Sequence, residues 1–181
     1  MVQQNYPEAK LTIAHVGPSE VHLREYAASL ELSNYEFIGK VPPSEIAHLY
    51  NSADIYVTTP NIDCMPGSLL ECMASGIPIV ATRVGGIPFI VKDERTALLV
   101  DVNDHVATAR QICRLLQDES LVTRITEAAR QEVEKYRAAP IRDQWVALYR
   151  ELVDRAAADA SYASTTSSAT AKRPPVDGRS G

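Results

Sequence analysis

The stretch Thr58 to Gly86, TTPNIDCMPGSLLECMASGIPIVATRVGG, holds the residues best placed to do chemistry. A polar loop runs there into a helix start at Pro66-Gly67-Ser68. The first N–H groups of a helix lack internal partners and sit at the positive end of its dipole, so they suit a phosphate. Pro66 contributes no N–H, whereas Cys64, Met65, Gly67 and Ser68 each keep theirs. Pro in a first turn is tolerated because its missing N–H is an orphan there anyway. Glu71 follows one turn into the helix, where its carboxylate can accept hydrogen bonds from ribose hydroxyls. Asp63 precedes it by eight positions. Each part also has a purely structural reading: Asp63 as a turn former, Ser68 as a cap, Glu71 as a solvated helix residue. Their joint order, rather than any one of them, argues for a site.

The pattern of elements around this stretch predicts what positions it. Short apolar runs read as strands at Leu11–Val16, Tyr35–Ile38, Asp54–Thr58, Ile77–Thr82 and Ala97–Val100. Helical text separates them, near 20–30, 43–50 and 67–74, with a further turn from Gly85-Gly86-Ile87-Pro88. Three longer helices are expected near 103–117, 119–136 and 140–155. In the first, Val106, Ala109, Ile112, Cys113 and Leu116 fall on one amphipathic face. In the last, Trp145, Val146 and Tyr149 read as packing residues. Strands that alternate with helices imply βαβ units and a mostly parallel sheet, and apolar strands imply a sheet covered on both faces. The predicted class is a Rossmann-like α/β domain, in which ligands sit beyond the carboxyl ends of the strands. That rule places the loop after the third strand, and Glu71 beside it, at the ligand edge.

Bulk properties narrow the function classes. The chain has 181 residues, 45% hydrophobic and 23% charged, enough for one core-bearing domain. A formal charge of −5 with no Lys/Arg block argues against a nucleic-acid partner. Cys64, Cys72 and Cys113 are odd in number and lack paired metal-site spacing, so reduced thiols and no metal are expected. The opening MVQQNYPEAK has no apolar core of a signal peptide, and no run approaches the ~20 apolar residues of a membrane helix. A cytoplasmic location is the expectation. The text divides into a folded region, 1–155, and a Ser-, Thr-, Ala- and Pro-rich tail, 156–181, expected to be disordered.

Over Lys10 to about Leu152 the sequence resembles the carboxyl-terminal domain of retaining GT-B glycosyltransferases of family 4 (group 1). LTIAHVGP resembles the strand and turn of that domain, and FIGKVPPSEIAHLYNSADIYVTTP its next two βα units. DCMPGSLLECMASGIPIVATRVGGIPFIV resembles its signature segment, and TALLVDVNDHVATARQICRLLQD its closing strand and helix. The family signature is Glu, seven residues, Glu; here it is Asp63, seven residues, Glu71.

The resemblance implies one half of a GT-B fold and a glycosyltransferase (a hexosyltransferase) whose donor substrate is a nucleotide-diphosphate sugar, with no cofactor. It implies that Glu71 binds the donor's ribose and that Asp63, one methylene shorter than the family's Glu, contacts the transferred sugar. It further places Gly17 near the diphosphate and the Gly39-Lys40-Val41 loop near the nucleobase. His15 stands where the family has a Gly, and Cys64-Met65-Pro66 where it often has Gly-Phe-Gly. The resemblance also implies that the chain begins inside the domain, one strand–helix unit short, without its Arg and Lys and without an amino-terminal acceptor domain. Transfer by the isolated chain is therefore not expected. Two alternatives remain: a non-catalytic split-subunit or docking module, and a fragment of a GT-B nucleotide-sugar epimerase. A dinucleotide oxidoreductase is disfavoured because no GxGxxG follows a strand, and a GT-A enzyme because there is no DxD.

Overall fold

The computed structural model describes residues 1–14, 16–30 and 32–170, with side chains described through residue 159. It divides into two compact units, Met1–Glu134 and Lys135–Gly181.

The first unit holds five short strands: β1 (Leu11–Ile13), β2 (Tyr35–Phe37), β3 (Tyr56–Thr58), β4 (Ile79–Thr82) and β5 (Leu98–Val100). Among them run α1 (Val2–Asn5), α2 (Glu20–Ser29), α3 (Pro43–Asn51), α4 (Gly67–Ser75) and α5 (Ile87–Ile90), followed by α6 (His105–Gln117) and α7 (Glu119–Val133). Every strand pairing is parallel, and the strands form two sheets, β1-β2 and β3-β4-β5. The Rossmann-like α/β class expected from the sequence is thus present. Strands are two or three residues shorter than the apolar runs predict in most cases, because flanking residues such as Asp54 and Ile77 lie outside the paired ladder.

The β3-β4-β5 sheet is covered on both faces, as its apolar strands require. Ile79, Ala81 and Leu99 point to one side, where Leu69, Cys72 and Met73 of α4 pack with Ile87, Ile90 and Val91. Val80, Leu98 and Val100 point to the other, against Leu115 of α6 and Leu121 and Ile125 of α7. Burial of large apolar side chains on this scale, each contributing about 1.5–3 kcal/mol, anchors the sheet. The contrast with β1 and β2 is sharp: β4 and β5 are buried throughout, while the strands of the other sheet are half-buried or exposed. On α2 only Ala27 is buried, and the helix leans on β2 through the Arg24 guanidinium, 4.4 Å from the Phe37 ring centroid.

Helix ends follow from local chemistry. The Asp104 side chain accepts the Ala107 N–H and caps α6; the Asp118 side chain accepts the Leu121 N–H and caps α7. Gly76 ends α4 in the left-handed conformation at φ 75°, beneath the Arg130 guanidinium, which donates to the Ser75 carbonyl at 3.1 Å.

Three expectations are corrected here. The buried stripe of α6 is not the predicted one: Leu115 is its buried residue, with Ala107 and Ile112 packed beside it, while Val106 and Leu116 are exposed. The apolar side is broad, and the side carrying Cys113 turns towards α1, where Asn5 lies 3.9 Å from its sulfur. In the second unit, α8 (Ala138–Thr170) carries Trp145 and Tyr149 one turn apart, with rings stacked at 5.8 Å. Both side chains are more than half exposed, so they pair with each other rather than fill a core. The helix continues past 156, where the composition predicts disorder, through Ala-rich text of high helix propensity. Residues 171–181 of that expected tail lie outside the described residues.

Candidate functional site

The residues singled out from the sequence gather in two places, both at carboxyl ends of strands. After β3, the chain passes through Thr59–Pro66 and enters α4 at Gly67. Pro66 is extended (φ −67°, ψ 116°), and no side chain caps the helix, so the first N–H groups of α4 remain available. A Cβ added to Gly67 would meet nothing within 4 Å, which makes this helix start open to a ligand. Leu69, Cys72 and Met73 bury one side of α4, and this fixes Ser68 and Glu71, at i and i+3, along a flank that is not buried.

Two tyrosines brace that flank. The Tyr50 hydroxyl, from the end of α3, donates to Glu71 Oε2 at 3.0 Å, and the Tyr56 hydroxyl, from β3, bonds Ser68 Oγ at 2.8 Å. Their rings meet edge to face, with centroids 5.9 Å apart. Burial, then the neighbouring Cys72 and Glu71, pushes the Tyr50 phenol well above the usual tyrosine range, and burial raises Tyr56 as well. Both therefore stay protonated donors across the physiological range. Desolvation likewise pushes the buried Cys72 thiol up to about 12, which makes it a neutral packing group and not a nucleophile.

The loop that carries Asp63 is held from below by the end of β4. Buried Thr82 donates its hydroxyl to the Pro60 carbonyl at 2.7 Å. The Gly86 N–H donates to the Asp63 carbonyl at 3.0 Å. Here the two glycines are required by space: a Cβ on Gly85 would lie 1.9 Å from the Asp63 carbonyl oxygen, and one on Gly86 1.4 Å from that of Cys64. Gly85 also has φ 52°, in the region that favours glycine. The Asp63 carboxylate, half-buried, has no partner among the described residues, whereas Cys64 and Met65 are exposed.

The second place lies at the ends of β1 and β2. Gly17, with Pro18, Ser19, Glu20, Leu23, Ile13 and Phe37, lines a cleft of about 250 Å³. Gly39 turns the chain at φ 71°, where an added Cβ would lie 3.9 Å from the Val16 side chain, and Lys40 and Val41 follow it. Nothing among the described contacts joins this group to Asp63 or Glu71. His15 lies outside the described residues. A larger hollow of about 470 Å³ runs along α7 past Ser120, Thr123, Arg124 and Glu127. Its Arg124 is committed to the Glu94 carbonyl at 2.7 Å, and no second cation converges there.

Sequence reasoning missed Tyr50, Tyr56, Thr82 and the loop-shaping role of Gly85 and Gly86. The Gly-Gly pair just beyond a strand was the one available signal; the tyrosines become relevant only once α3 and β3 pack beside α4.

A parallel α/β sheet whose ligand-suited groups gather at strand carboxyl ends defines a Rossmann-like domain with an anion-suited helix start. The sequence model of the family described as "Glycosyl transferases group 1" matches residues 1–132, and the chain belongs to that family. It is 31% identical over 148 residues to the N-acetyl-alpha-D-glucosaminyl L-malate synthase of Bacillus anthracis, covering 81% of this chain and 38% of that one. It is 36% identical over 132 residues to a D-inositol 3-phosphate glycosyltransferase of Corynebacterium urealyticum, covering 72% and 31%. The chain thus spans 38% and 31% of the length of these two curated relatives. Among solved structures, it superposes with a TM-score of 0.65 on the C-terminal domain of a glycosyl transferase group 1 family protein (LpcC) from Francisella tularensis. That pair is 25% identical and covers 76% and 74% of the two chains. It superposes with a TM-score of 0.73 on Anabaena Alr3699/HepE, solved in complex with UDP-glucose, at 19% identity and 80% and 42% coverage, a likeness of fold. The fold is one Rossmann-like half of the GT-B architecture. No helix among the described residues is long and apolar enough to cross a membrane.

Proposed function

We propose that this chain is the donor-binding part of a glycosyltransferase, taking a nucleotide-diphosphate sugar at the carboxyl edge of β3 and β4. The observation that carries the reading is the open start of α4 with Ser68 and Glu71 fixed on its unburied flank. In this reading the free N–H groups of α4 meet the diphosphate, and Glu71 accepts the ribose hydroxyls. The Asp63 carboxylate reaches towards hydroxyls of the transferred sugar, and the Gly17 cleft with Gly39-Lys40-Val41 takes the remaining nucleotide. Family membership supports the donor class, as does a fold neighbour crystallised with UDP-glucose.

Glycosyl transfer builds charge on the leaving diphosphate, which preorganised dipoles and cations must meet in a site kept free of water. A helix start supplies only part of that. The reading therefore assigns the acceptor and further cationic groups to an amino-terminal domain, with no resident cofactor or metal and a cytoplasmic site of action. Titration calorimetry with UDP, GDP and ADP and their glucose conjugates tests it. Saturable binding of one base, weakened roughly tenfold or more by Glu71→Ala in a folded variant, is the expected result. Absence of binding across the panel by the folded protein would overturn the reading and leave the docking module as the better account. The pairing pattern favours that second reading specifically: among the described residues β1 pairs only with β2 and β3 only with β4, so each keeps one open edge.

A further inference from the structure

The flank of α4 contains more than a carboxylate and a hydroxyl. Glu71 is an exposed glutamate on a short helix, and such a side chain samples several rotamers, all but one of which must be given up when a ligand binds. Here one carboxylate oxygen, Oε2, already accepts the Tyr50 hydroxyl at 3.0 Å. Tyr50 is itself fixed, by its edge-to-face contact with Tyr56 and by its packing against the buried core that includes Leu69, Cys72 and Met73. Burial keeps both the thiol and the phenol protonated. The phenol gives its single proton to the carboxylate. Oε1 of Glu71 accepts no hydrogen bond among the described residues.

We propose that Tyr50 is a positioning residue that holds Glu71 in one rotamer, with Oε1 presented to the vicinal hydroxyls of a ribose. The proposal rests on the donor-site reading above and names what that reading lacks, the group that preorganises its ribose contact. A preorganised acceptor loses less freedom on binding, so the gain appears as affinity and only for ligands that use that acceptor. Tyr50 does not touch the ligand.

The test is the variant Tyr50→Phe, which keeps the ring against Tyr56 and removes only the O–H. Titration with UDP is compared with titration with 2′,3′-dideoxyuridine diphosphate, which lacks the ribose hydroxyls. The phenol–carboxylate bond lies at a partly exposed site, so its loss should weaken UDP binding about three- to tenfold. Binding of the dideoxy nucleotide should be unchanged, and Tyr50→Phe should add nothing further in a Glu71→Ala background. A merely structural role would weaken both ligands alike. Equal weakening overturns the proposal, and so does unchanged UDP affinity in Tyr50→Phe while Glu71→Ala weakens binding; either result leaves the donor site standing.

If the unaltered protein binds no nucleotide, the donor reading falls, and the Tyr50–Glu71 link is judged without ligand by NMR of tyrosine labelled at Cζ. One resonance, absent in Tyr50→Phe, should shift when Glu71→Gln replaces the carboxylate that accepts the phenol proton. A Tyr50 resonance indifferent to Glu71→Gln would overturn the proposal.

Discussion

Replacing Gly86 by alanine should dismantle the Asp63 loop while leaving the sheet beneath it intact. Gly86 has an ordinary φ of −83°, so its backbone conformation is open to alanine, and the obstacle is space alone. The new Cβ would lie 1.4 Å from the Cys64 carbonyl oxygen and 2.6 Å from its carbonyl carbon, both rigid backbone atoms. Reaching even a tight contact requires the two segments to part by roughly 1.6 Å in a region packed without slack. The bond from the Gly86 N–H to the Asp63 carbonyl, 3.0 Å long, is then lost. Overpacking of this kind costs about 1–3 kcal/mol, which the core of α4, β4 and β5 can absorb. A donor site is less tolerant, because a misplacement of about 1 Å can cost a hundredfold in a positioned reaction. Calorimetry with the nucleotide that the unaltered protein binds should show affinity reduced tenfold or more, with a cooperative melt retained at lower temperature. Binding by Gly86→Ala at undiminished affinity would mean that the loop moves freely without consequence for the site, contrary to its role here.

Other expectations follow from the same geometry. Thr82→Val removes the donor to the Pro60 carbonyl in a buried position; unfolding in urea should show a loss of about 1–2 kcal/mol, and an unchanged midpoint would show that the tether is idle. Cys72 is raised from 9.0 to about 12 by burial, so the fold favours its protonated form. That stabilisation is fully present below pH 9 and is lost as pH rises towards 12. Thermal melts should therefore fall steadily above pH 9, with Cys72→Ala flattening the decline, and a flat profile in the unaltered protein would contradict the assignment. In amide exchange, β4 and β5 should be the slowest strands, and the amides of Thr12 and Val57, which face the open edges of β1 and β3, should exchange fast. Strong protection at those two amides would mean that the edges are covered.

What the sequence made legible was what periodicity and punctuation encode. Ile79–Thr82 and Leu98–Val100 are apolar throughout because both faces of their sheet are covered, so they could be recognised as buried parallel strands. Pro66-Gly67 and Gly76 marked both ends of α4 by backbone chemistry alone. The stripe of α6 was misplaced because Ile112, Cys113, Leu115 and Leu116 leave several apolar directions open, and only the approach of β5 and α7 selects Leu115. The partners of the site were illegible for a related reason. Tyr50 and Glu71 are 21 residues apart, and Gly86 and Asp63 are 23 apart, so no local pattern links them; α3 beside α4, and the end of β4 beneath the loop, create both contacts.

In the donor-site reading, the ligand edge lies at the β3 loop and the start of α4. Amide NMR of the isotopically labelled chain during titration with UDP-glucose tests it most directly. The largest saturable shifts should fall on residues 63–71 and 85–86, with a second group at 17–20 and 39–41 and none along α7. Saturable shifts confined to the α7 hollow, at Ser120, Thr123 and Arg124, with the amides of Gly67 and Ser68 unmoved, would contradict it.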